Sequence, residues 1–183
     1  FGSGLIELLA KEMTIDLHGI RDRAKEQAIL EDNPITLPVT SKGVSFGSLT
    51  AWPDGLVDNS KIEGVDEDLV VRPFSQKGVY VSLREFTLDS LNLHHGMQAE
   101  ERFGTNVDAD LDGVVNELTI ADTTALILFQ ASLKAPHFAV PESDADKSKI
   151  EEGDRLFNEI GCAVCHKPYL ELNSPIFSEP NPF

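Results

Sequence analysis

The sequence predicts a mainly α protein whose irregular, loop-rich middle holds short β-hairpins. Three observations predict it. Apolar residues recur at steps of three and four in separate stretches, helix-start signatures precede two of these stretches, and Gly and Pro crowd the region between them. A chain of 183 residues with 41% apolar content can bury a core of one or two domains. The expected organisation is a helical and loop-rich segment over residues 1–138, a polar linker over 139–149 and a distinct segment over 150–183.

Residues 3 to 30 carry Ile6, Leu9, Met13, Leu17, Ile20 and Ala24 on one face, with charges on the other, so one or two helices are expected there. Asn33-Pro34 ends them. From Thr36 to Val79 the pattern shortens to β-like pieces, Val44/Phe46 and Leu69-Val70-Val71, broken by Gly43, Gly47, Trp52-Pro-Asp-Gly55, Gly64, Pro73 and Gly78. Ser82 and Glu85 form a capping box, and Leu83, Phe86, Ser90, Leu91 and His94 then line one helical face up to Gly96. Thr119-x-x-Asp122 starts another helix, which runs through Ala125 to Leu133 and stops before Pro136. Beyond the linker, Ile150, Gly153, Phe157 and Ile160 fall on one stripe of a short helix.

The charge balance excludes some partners. With 31 acidic and 15 basic residues the net charge is −16, which repels phosphate backbones, so nucleic acid is not expected. The longest apolar run, Ala125 to Phe129, falls far below the roughly 20 residues of a spanning helix. Phe1-Gly-Ser-Gly-Leu-Ile opens inside an apolar pattern, and the chain is therefore expected to be an internal fragment of a longer protein.

Cys162-Ala-Val-Cys165-His166 has the C-x-x-C-H spacing of covalent haem attachment. Each residue type serves a different bond: two thiols reach the two vinyl groups of one porphyrin, and the adjacent imidazole is placed under the iron. A thioredoxin-type pair would open a helix after a strand, and a zinc site would need more thiolates; here a helix precedes the motif, Pro168 follows it, and no other Cys exists. The preceding helix, with Gly153 open to close approach by another helix, resembles the first helix of a cytochrome c domain. Residues 150–183 are therefore expected to be the N-terminal part of such a domain, truncated because 17 residues follow His166. One haem c is expected in this chain, with a periplasmic or extracellular bacterial location, since thioethers are normally completed outside the cytoplasm.

His94-His95-Gly96-Met97 packs three groups able to ligate iron or move protons into four positions. Two readings stand. The cluster faces a haem, with Met97 as an axial ligand and His94 and His95 as candidate catalytic groups, or it is a helix C-terminus with histidines on the dipole and a core methionine. Met13, His18 and His137 are read as structural.

Asp108, Asp110 and Asp112 alternate ahead of Gly113, followed by Asn116 and Glu117, and this Dx-Dx-DG loop is expected to bind calcium. It is not an EF-hand, because Thr119 stands where that loop carries its bidentate Glu. The alternative is an acidic turn closed by Asx hydrogen bonds.

Several stretches together resemble the di-haem oxidoreductase family, distant relatives of bacterial cytochrome c peroxidases and of the di-haem enzyme that matures a tryptophan-derived quinone. They are Phe1-Gly-Ser-Gly-Leu-Ile-Glu7, Gly43-Val-Ser-Phe-Gly47, Ser82-Leu-Arg-Glu-Phe-Thr87, His94-His-Gly-Met-Gln98, Glu101-Arg-Phe-Gly104, the Dx-Dx-DG loop, Asp154-Arg-Leu-Phe157 with Cys162 to His166, and Phe177-Ser-Glu-Pro-Asn-Pro182. The resemblance implies a second haem on an upstream C-x-x-C-H, with the present residues 1–138 as the inter-haem region. It also implies reduction of peroxide, or a similar two-electron substrate, with electrons from a small donor protein. The alternative is a non-catalytic electron-transfer cytochrome c subunit of a larger redox complex.

Overall fold

The first apolar stripe folds as one continuous helix, α1 (Ser3–Glu31), which Gly19 does not interrupt. The computed structural model describes residues 1–137 and 139–183; Phe138, where the expected first segment ends, lies outside the described residues. Met13, Leu17, Ile20 and Ala24 are buried as their spacing predicts, whereas Ile6 is exposed and Glu7 and Thr14 are buried instead. Thr14 has a reason to be inside: its hydroxyl donates to the Ala10 carbonyl at 2.8 Å and accepts the Val71 amide at 3.0 Å, which fastens the middle region to the helix.

Strands β1 (Ile35–Ser41), β2 (Val44–Ala51) and β3 (Val57–Ile62) form an antiparallel meander in the order β1-β2-β3. Pro38 is tolerated because β1 is an edge strand, and the register slips beside it, between Pro38 and Thr40. The buried residues of the sheet, Val39, Phe46, Leu49 and Ala51, share one core with Met13, Leu17, Ile20, Ala24 and Ala28 of α1. The expected strand at Leu69-Val70-Val71 does not form. Leu69 has a left-handed backbone, φ 61°, and inserts a fully buried side chain into that core, so the segment serves as a plug and not as a ladder.

Helix α2 (Leu83–His95) starts at Ser82, whose hydroxyl accepts the Glu85 amide at 3.1 Å. Only half of the expected capping box is made there: the Glu85 carboxylate returns to the Val81 N–H and not to that of Ser82. A single turn, α3 (Glu100–Phe103), leads to the acidic loop and then to α4 (Ile120–Ser132), where Thr119 and Asp122 make both bonds of the box. Replacing Thr119 by Ala is expected to cost about 1 kcal/mol, the usual worth of an N-cap side chain, read as a lowered midpoint in urea with an unchanged slope.

Leu83 of α2, Ile127 of α4 and Phe74 form a second core, bordered by Tyr80, Phe86, Ala131 and Phe177. Gly4 brings α1 against the end of α4 so closely that a Cβ there would lie 2.7 Å from the Ala131 carbonyl oxygen. Helix α5 (Asp144–Glu159) starts on Ser143, whose hydroxyl accepts the Asp146 amide, so it begins inside the stretch expected to be a linker. The turn α6 (Cys162–Cys165) follows it. With 43% helix and 14% strand the protein is mainly α, as predicted. Among the described residues no helix is long and apolar enough to cross a membrane.

Candidate functional site

Gly161 adopts a left-handed backbone, φ 92°, and so ends the α5 direction and lets the chain start a new turn at once. That turn places Cys162 and Cys165, both free thiols, three residues apart on α6, and the His166 amide closes it on the Cys162 carbonyl at 2.8 Å. Residues at i and i+3 of a helical turn lie on one side, so the two sulfurs share a face. The ring of Phe157, one helix back, lies 6.5 Å from that of His166.

No residue of α5 or α6 is buried. Ile150 and Ile160 are 57% and 74% exposed and Phe157 is half-buried beside His166, so the stripe predicted from the sequence exists and is largely open. Gly153 faces open space, and the helix expected to approach it is absent among the described residues. A single thiol pair with an imidazole beside a largely open apolar stripe fits a flat, apolar prosthetic group, which takes two sulfurs, one nitrogen and a large hydrophobic contact. A cavity of about 460 Å³ opens beside this turn, between Lys42-Gly43 and the Lys167, Tyr169 and Asn173 side.

The chain after Cys165 does not stay with α5 and α6. Its last part returns to the first body: Phe177 joins the second core, Glu179 pairs with Arg84, and Asn181 donates to Glu7 at 3.0 Å. The segment expected over 150–183 is therefore divided, its first part standing clear and its last eleven residues clasping α1 and α2. Sequence reasoning missed this return because Asn173 to Phe183 carries no periodicity, and its partners Glu7, Glu12 and Arg84 look like surface charges.

His94 and His95 are exposed at the end of α2, where Gly96 takes a left-handed backbone and returns its N–H to the Asn92 carbonyl at 3.0 Å. They edge a groove between α2 and α4 with Leu91, Leu126 and Gln130, and none of its lining residues belongs to α5 or α6. Met97 is half-buried. Of the residues read as structural, Met13 is a core residue, His18 is hydrogen-bonded to the Asp68 carbonyl at 2.8 Å, and His137 is exposed.

Of the five expected calcium ligands the structure gathers three. Carboxylate oxygens of Asp108, Asp110 and Asp112 lie within 4.8 Å of one another. Asp108 also accepts the Asp112 and Gly113 amides, at 3.1 and 3.0 Å, which is what curls the loop. Asn116 is turned to Asn106 instead, and the Glu117 carboxylate accepts the Gln98 amide at 2.6 Å, stapling the loop to the segment after α2. The three aspartates thus stand together, while Asn116 and Glu117 are engaged in other contacts of the loop.

A cleft of about 350 Å³ lies over the start of α2, walled by Tyr80, Arg84, Leu88 and Arg102. The Tyr80 hydroxyl donates to Asp89, which raises the phenol above its ordinary value, while that bond and the Arg102 guanidinium hold the Asp89 carboxyl low. No motif marks this group in the letters.

A scan against protein-family models matches no family, and neither the curated proteins nor the solved structures searched contain a match to this chain.

Proposed function

We propose that this chain belongs to a c-type haem redox protein of the bacterial periplasm or exterior, with Cys162 and Cys165 holding the porphyrin as thioethers and His166 ligating its iron. The observation that carries this reading is one helical turn bearing two free thiols on one face, none of its residues buried, with an imidazole next in sequence and a largely open apolar stripe alongside. When bound, the group supplies one-electron exchange at iron. The chain's own residues hold it: α6 sets the spacing of the sulfurs, Gly161 turns the chain onto them, and Phe157 borders the imidazole.

The preferred activity is reduction of peroxide or a similar two-electron substrate, with electrons from a small donor protein, in the manner that the resemblance to di-haem oxidoreductases implies. The competing reading, an electron-transfer cytochrome subunit of a larger redox complex, is favoured by one observation. The groove edged by His94 and His95, the candidate acid/base groups, has no lining residue from α5 or α6. The haem-loaded protein decides between them. Cyanide binding and high-spin ferric bands are expected of the enzyme, and a low-spin spectrum indifferent to cyanide is expected of the carrier.

The Asp108, Asp110 and Asp112 triad is proposed as a structural calcium site, because three carboxylates on one curled loop supply hard oxygen ligands. At a calcium concentration roughly ten to a hundred times the dissociation constant, binding stabilises by about 1.4–2.7 kcal/mol. The expected result is a rise of a few degrees in Tm over the chelated protein, absent in Asp110→Asn. Equal melting with calcium and with chelator sinks this part of the proposal.

A further inference from the structure

From Asn173 to Phe183 the chain has neither helix nor strand, and contacts with α1 and α2 hold it in place. At its near end, a few residues past His166, the Glu12 carboxylate accepts the Asn173 amide at 3.0 Å and the Ser174 amide at 3.1 Å. The same carboxylate receives the Lys42 ammonium at 2.6 Å, and Lys42 closes the ring by donating to the Asn173 side chain at 3.0 Å. At the far end the Glu7 carboxylate accepts the Asn181 side-chain amide while holding the Leu83 N–H at 2.7 Å.

Lys42 occupies its place at some conformational cost. It sits in the β1–β2 turn with φ 50°, a left-handed position where a bare hairpin turn favours Asn, Asp or Gly. Its side chain is only 10% exposed, so its charge is committed to Glu12 and the returning strand of chain.

We propose that residues 173–183 are an acid-sensitive clasp, in which protonation of Glu12 releases the end beside the Cys162–His166 turn. The carboxylates at the two ends have different surroundings. Burial opposes ionisation of Glu12, but the bond from Lys42 and the Asn173 and Ser174 amides outweigh it and hold its carboxyl below the ordinary 4.5. A depressed carboxyl stabilises the closed form at pH above 4.5, and that contribution is lost as pH falls through the folded value.

Burial, aided by the charge of Glu179, instead pushes the Glu7 carboxyl up, against the opposing Leu83 and Asn181 bonds and the charge of Lys11. Its contribution to stability is therefore full below 4.5 and is lost as pH rises, the reverse of Glu12. The charge that acts on Glu12 is Lys42; Asp16 on the same helix is bonded to Ser41, Lys11 acts on Glu7 and donates to Ser178, and Lys167 and Glu171 lie on the rim of the cavity that Lys42 lines. None of them takes over the Asn173 and Ser174 amides. The inference stands apart from haem attachment, because every contact it uses lies outside the Cys turn.

Hydrogen exchange of the full chain, corrected for intrinsic rates, tests it. In Glu12→Gln at neutral pH the Asn173 and Ser174 amides are expected to lose roughly tenfold or more of their protection, as loss of charged hydrogen bonds implies, with the Leu17 and Ile20 amides unchanged. The wild type is expected to show the same selective loss on acidification, and Lys42→Met to show it at a higher pH, since Glu12 then lacks its counter-charge. Wild-type protection in Glu12→Gln overturns the clasp. So does loss of the Asn173 and Ser174 protection only together with that of Leu17 and Ile20, which reports global unfolding.

Discussion

Replacing Cys162 and Cys165 together by Ala is expected to abolish covalent haem in protein produced alongside a c-type maturation system. The wild type, denatured and run on a gel, retains a haem stain and gives a pyridine haemochrome, and the double variant gives neither. The effect is all or none because thioether bonds survive denaturation and coordination does not. Folding failure is a weak alternative explanation here. α6 buries no side chain, so two alanines remove nothing from either core, and the far-ultraviolet circular dichroism of the polypeptide is expected to be unchanged.

The single variants refine the result. Each keeps one thioether, and the leftover vinyl group shifts the haemochrome band; His166→Ala keeps both thioethers but changes the iron spectrum. A wild-type chain without stain or haemochrome defeats the haem reading, and with it both the enzyme and the carrier.

Gly47→Ala is expected to be the most damaging single change to the fold. Gly47 lies in β2 with φ 83°, and a Cβ there would stand 2.0 Å from the Lys61 carbonyl oxygen of β3. Two penalties combine. A left-handed backbone costs an L-residue roughly 1–2 kcal/mol, and the contact can be relieved only by moving the strands apart. The pairing it disturbs is already irregular, with a register shift between Ser48 and Thr50, and the neighbouring Phe46 and Leu49 lie in the main core. A total loss of roughly 3–5 kcal/mol is expected from such combined strain, measured by urea unfolding. Gly43→Ala, also left-handed but with open space around it, is the control and should show the backbone penalty alone. Equal losses in the two variants would remove the contact with Lys61 from the explanation.

Much of the architecture is legible in the sequence. The α1 stripe, the Ser82 and Thr119 starts, the Gly96 stop and the hairpin-bearing middle follow from local rules, because caps, turns and periodicity act over a few residues. Local rules also misled. Leu69-Val70-Val71 has strand composition, yet Leu69 is needed as a plug in the core, and burial outweighs the strand preference of its neighbours. The Ser143 start of α5 was hidden by Pro141 and a polar run that read as linker.

The candidate site divides along the same line. The sequence by itself determined the Cys162, Cys165 and His166 turn and the Asp108, Asp110 and Asp112 triad, because each consists of neighbours whose spacing the backbone must reproduce. Only the tertiary structure decided that Glu117 is taken up by Gln98, that His94 and His95 edge a groove apart from α6, and that Glu7, Glu12 and Arg84 receive the end of the chain. Those partners lie far apart in sequence. Hydrogen bonds and charge pairs carry no record of sequence separation, so the letters show that such groups need partners and the fold alone selects which ones they get.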